Sequence, residues 1–126
     1  MEIYDLTKQQ QLIKNYLQIQ VKLFGKGFYS ARERCIGKTV IINNLGLEYQ
    51  SLGYEVYVAT PTFYSNDYVA NEKWDIRSEN NRGKYFSDKT IILVDELNIE
   101  ETDRLINSLK KYPNGDKVKI LGFVRF

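Results

Sequence analysis

The run Thr90-Ile91-Ile92-Leu93-Val94 has no polar face. A strand wetted on one side alternates apolar and polar residues. An unbroken apolar run of this length fits a strand buried on both faces, which requires helices above and below a parallel sheet. The rest of the chain supplies them. Thr7 to about Leu23 predicts a helix, with Leu12, Ile13, Tyr16 and Leu17 on one side, Thr7 as N-cap and Gln10 completing a capping box. A short strand, Phe28–Ala31, is followed by a polar loop, 32–37. A helix is expected from Lys38 to Leu52, with Gly53 at the position of a C-cap glycine. Tyr54–Thr60 is β-branched and aromatic and stops at Pro61, the pattern of a strand with a breaker after it. Residues 62–88 are irregular, with a short helix expected near 67–73. Ile99–Tyr112 predicts a helix with Leu105, Ile106 and Leu109 inward, 113–116 a turn, and Val118–Phe126 a last strand. Strands alternating with helices predict an α/β fold: about four mostly parallel strands with helices on both faces.

A chain of 126 residues fits one domain, taken as 1–126. Hydrophobic residues at 43% and aromatics at 13% exclude a disordered composition. No apolar run approaches the ~18 residues of a membrane span. The start Met1-Glu2-Ile3-Tyr4-Asp5 lacks the basic and apolar stretches of a signal peptide. A single cysteine allows no internal disulfide, so a reducing cytoplasm is the expected compartment. The net charge of +2 does not mark a nucleic-acid binder, but its distribution is uneven. Residues 1–45 hold seven Lys/Arg against three Asp/Glu, and residues 46–103 hold five against twelve. A basic first third suits phosphate, and scattered surface lysines give the same count.

Between the first strand and the second helix stands Arg32-Glu33-Arg34-Cys35-Ile36-Gly37-Lys38-Thr39, which ends like a P-loop (Walker A). Gly37 lets backbone approach phosphate without a Cβ. The N–H groups of Arg34, Cys35, Ile36, Gly37, Lys38, Thr39 and Val40 would form the cradle. Lys38 offers a charge to β- and γ-phosphate oxygens, and Thr39 a hydroxyl to Mg²⁺. The first glycine of the pattern is replaced by Arg32. Ile91–Glu96 is an apolar strand ending in two carboxylates, the Walker B arrangement: Asp95 for the metal, Glu96 to polarise a water. The plain alternative is that Asp95-Glu96 opens a loop and caps the next helix.

Arg34-x-x-Gly37-Lys38-Thr39 resembles the arginine-bearing P-loop of phage terminase large subunits. The stretch from Thr39 through Gly53–Thr62 is also similar to those enzymes and to superfamily 2 helicases. The resemblance covers about residues 6–126. It implies a three-layer P-loop NTPase fold of the additional-strand class with sheet order first, fourth, third, second. It further implies ATP and Mg²⁺ as ligands, hydrolysis of ATP, and a setting in phage or mobile-element DNA metabolism. The partners to expect are then nucleotide, and DNA or a larger phage or host protein. The resembling enzymes place an adenine-reading glutamine where Gln9 and Gln10 stand; the capping box is the competing role for Gln10. Arg34 is either a cis arginine finger or a solvated loop residue. Cys35 is read first as a small buried filler.

Arg77, Arg82 and Lys84 are read as solvated charges, though a nucleotide kinase would use such cations in a lid. Tyr64, Tyr68, Trp74, Tyr85 and Phe86 are read as packing residues, with base stacking as the alternative. In the resembling enzymes the last strand leads into a polar coupling segment; here Leu121–Phe126 offers only Arg125. A binding module with little hydrolysis and a small kinase are therefore the alternative functions. The uncharged edge expected at Phe28–Ala31 calls for cover by the N-terminal helix or by another chain; self-association or docking onto a larger partner is expected, with Arg125 or Arg104 completing a neighbour's site.

Overall fold

The computed structural model describes residues 6–30, 37–60, 72–73, 89–112 and 114–125. Helix α1 spans Lys8–Phe24 and opens with the expected capping box: Thr7 Oγ1 accepts the Gln10 N–H, and Gln10 Oε1 accepts the Thr7 N–H at 2.9 Å. Its buried face is Ile13, Leu17 and Val21 with Lys14. The expected grouping of Leu12 and Tyr16 with Ile13 and Leu17 fails. At 100° per residue the helix separates them, and Leu12 (63% exposed) and Tyr16 join Ile19 and Leu23 in an outer stripe.

Strand β1 (Lys26–Ser30) precedes α2 (Lys38–Ser51), and β2 (Glu55–Ala59) follows. A two-residue strand, β3 (Glu72–Lys73), stands where the tail of a short helix was expected; the remainder of that expected helix, 67–71, lies outside the described residues. Its strand state comes from parallel pairing with Tyr57 and Val58, a non-local contact with no local signature. Then come β4 (Thr90–Asn98), α3 (Ile99–Leu109), a 3₁₀ turn at Gly115–Lys117 and β5 (Lys119–Arg125).

The sheet order is β1-β5-β4-β2-β3, and every pairing is parallel. The four longer strands thus follow the expected order of first, fourth, third, second. Two cores sandwich the sheet. On one face α1 and α2 pack Leu17, Val21, Ile41, Ile42 and Leu45 on Val56, Val58, Ile91, Leu93, Leu121 and Phe123. On the other, α3 packs Leu105 and Leu109 on Tyr57, Ile92, Val94, Leu97, Ile120 and Val124. Alternate residues of β4 feed opposite cores, which is why the run from Ile91 to Val94 has no polar position.

Strand β4 does not end at Asp95-Glu96 as expected. It runs to Asn98, and the pairing register with β5 shifts between Asp95 and Leu97. Glu96 is the extra residue of this β-bulge, with φ +64°. The bulge resets the alternation: Val94 and Leu97 face the same core, while Asp95 faces α2. Opposite Val94, Gly122 has φ +151°, and a Cβ there would lie 1.9 Å from the Val94 carbonyl oxygen. Among the described residues no helix is long and apolar enough to cross a membrane.

Candidate functional site

In a parallel sheet flanked by helices, ligands bind beyond the carboxyl ends of the strands. Both predicted clusters meet at that end. Helix α2 starts at Lys38 with Gly37 as N-cap, in the left-handed conformation at φ +75°. A glycine cap has no side chain to accept from the first amides of the helix, and none is accepted there by a side-chain cap. The first turn thus turns the N–H groups of Lys38, Thr39 and Val40 outward, with the positive end of the helix dipole behind them. Gln10 lies against this glycine: a Cβ on Gly37 would sit 2.1 Å from Gln10 Nε2. Gln10 therefore caps α1 and also lies against the start of α2.

Strand β4 brings the carboxylates. Lys38 Nζ donates to Glu96 Oε1 at 2.5 Å, across 58 residues of chain. Thr39 Oγ1 lies 3.5 Å from Asp95 Oδ2, and Asp95 is 4% exposed. The reading of Asp95-Glu96 as a helix cap is excluded. Asn98 caps α3: its Oδ1 accepts the Glu101 N–H at 2.7 Å, and the Glu101 carboxylate accepts the Asn98 N–H at 3.2 Å. The Glu96 carboxyl is held below the usual carboxylate range, first by the Lys38 hydrogen bond. Partial burial works against this, and the charges of Lys38 and Arg125 add to it.

The buried Asp95 carboxylate beside the Thr39 hydroxyl is a pair of hard oxygen donors, the chemistry that suits Mg²⁺ with most of its waters retained. Among the described residues no group of three or more His, Cys, Asp or Glu gathers as a metal site, here or elsewhere. Arg34, Cys35 and Ile36 lie outside the described residues, as do Arg77, Arg82, Lys84 and the aromatic side chains of 64–86. The two arginines considered for a neighbouring site have partners in their own chain. Arg104 pairs with Glu100 at 3.2 Å, and Arg125 Nε donates to the Glu96 carbonyl oxygen at 3.1 Å.

The Arg125 contact and the bulge were missed in the sequence. The sequence does not mark the bulge, because β4 is apolar on both faces and Leu97 would fit the alternation of Leu93 as well as it fits the core of Val94. Comparisons with protein-family models, curated proteins and solved structures give no match for this chain.

Proposed function

We propose that the chain is a P-loop nucleoside triphosphatase of the additional-strand class, binding ATP with Mg²⁺ and hydrolysing it to ADP and phosphate. The observation that carries this reading is the meeting of Lys38 and Thr39, from the first turn of α2, with Glu96 and Asp95, from β4. The helix start and the carboxylates are far apart in sequence, and neither is needed there by the apolar cores. The strand order gives further support, since it is the one the resemblance implies.

In this reading the amides at the start of α2 receive phosphate oxygens, and Lys38 turns from Glu96 to the β- and γ-oxygens. Thr39 and Asp95 would hold Mg²⁺, which when bound neutralises charge on the β- and γ-phosphates. Glu96, released from Lys38, takes a proton from the attacking water as the water oxygen bonds to the γ-phosphorus and the bond to the β-bridging oxygen breaks. The setting in DNA metabolism rests on the resemblance to terminases and helicases.

Calorimetry with Mg-ATP and a phosphate-release assay, with and without DNA, test the proposal. Lys38→Ala should weaken Mg-ATP binding by about 100-fold or more while the fold is kept. Glu96→Gln should keep nucleotide and lose turnover, because an amide cannot accept the proton. Equal binding by wild type and Lys38→Ala overturns the phosphate site. Binding without turnover under every condition makes the chain a nucleotide-dependent binding module, and phosphate transferred to an acceptor other than water makes it a kinase.

A further inference from the structure

Glu96 and Asn114 are the non-glycine residues with positive φ among those described. Asparagine tolerates the left-handed region well; glutamate does not, and such a residue persists only when its surroundings impose it. At Glu96 the imposed conformation has a geometric result. In unbroken alternation residue 96 would share the face of Val94, towards α3, and Leu97 would share that of Asp95. The bulge reverses this. Leu97 enters the α3 core, and the Glu96 carboxylate reaches Lys38 on the α2 side.

A contact stands on the backbone of the bulge itself. Arg125 pairs with Asn98 in the β4–β5 register, one step beyond the shift, and its Nε–H reaches back to the Glu96 carbonyl at 3.1 Å. Arg125 itself is exposed, so it packs no core. We infer that Arg125 is a positioning residue for Glu96: its hydrogen bond to the Glu96 carbonyl holds the left-handed bulge that directs the carboxylate to the mouth of the site. The consequence for hydrolysis rests on the proposed function; the hold on the bulge does not.

A cycle of wild type, Arg125→Met, Glu96→Gln and the double variant separates the two. Calorimetry should give Mg-ATP affinities for Arg125→Met within about 3-fold of wild type, while kcat falls by about 10- to 100-fold. On the small residual turnover of Glu96→Gln, read at high enzyme concentration, the arginine change should have no further effect, because Arg125 acts through Glu96. Arg125→Gln, which keeps an N–H donor, should recover part of the rate. Independently of nucleotide, the φ-dependent NMR coupling of Glu96 should change in Arg125→Met while that of Asn114 stays constant. An unchanged Glu96 coupling, or an undiminished effect of Arg125→Met beside Glu96→Gln, overturns the inference. A changed coupling in a protein without turnover leaves Arg125's role standing and removes hydrolysis from the proposed function.

Discussion

Lys38 and Glu96 form a partly exposed ion pair, with side chains 17% and 52% accessible. Solvent screening keeps such a pair under about 1 kcal/mol. Its pH dependence has a definite sign. The Glu96 carboxyl is depressed in the folded chain, chiefly by the Lys38 hydrogen bond. The unfolded chain therefore binds this proton more readily. The pair's contribution is complete above the ordinary glutamate value and is lost as pH falls through the lower folded one. The stability difference between wild type and Glu96→Gln, followed by urea denaturation, should be constant from pH 7 down to about 5 and shrink below about 4.3. A difference that grows on acidification would mean that Glu96 is not held by a cation. The carboxylates and the lysine were legible as residues, because the motif names them by type and spacing. Their pairing with one another was not, since it depends on a bulge that reverses one side chain.

At the scale of elements, the helices and long strands could be read from apolar period, caps and breakers. Asn98 escaped notice as the α3 cap because Asp95-Glu96 resemble a loop start, yet Leu97 beyond them is fully buried. Where β4 ends is decided by its pairing with β5, a contact between distant segments that local propensity does not encode. The same holds for β3, which two hydrogen-bonded positions on β2 define. In the β4–β5 pairing, Gly122 marks a close backbone approach. It stands opposite Val94, just before the bulge, and an added Cβ meets a backbone carbonyl that cannot move without parting the two central strands. Gly122→Ala should destabilise the fold by about 3 kcal/mol or more, measured by chemical denaturation. A loss below about 1 kcal/mol would show that β4 and β5 do not approach so closely.

For the whole molecule, the order of strands leaves β1 at one end of the sheet among the described residues. Phe28 and Tyr29 bring no charge to that edge, which is why the sequence suggested cover by the N-terminal helix or by another chain. The fold answers it from within. The Ile120 N–H bonds the Gly25 carbonyl, so by alternation Gly27 and Tyr29 turn their backbone groups to β5 and Phe28 turns its own away. The outward Phe28 N–H donates to Gln20 Oε1 of α1 at 2.9 Å. Helix α1 comes this near because position 27 has no side chain: a Cβ there would lie 2.8 Å from the Leu17 carbonyl oxygen. Native edges are commonly protected by such cover. In wild type the Phe28 amide should therefore exchange with solvent about as slowly as that of Tyr29, although only Tyr29 points into the sheet. Gln20→Ala should speed exchange at Phe28 by about 10-fold or more and leave Tyr29 nearly unchanged, because one edge donor loses its acceptor while the β1–β5 ladder stays. Equal exchange at Phe28 in wild type and variant would mean that the glutamine does not guard the edge. Sedimentation of the same two proteins carries the argument to assembly: association that appears only in Gln20→Ala marks the bare strand as the interface, whereas association already present in wild type must use another surface.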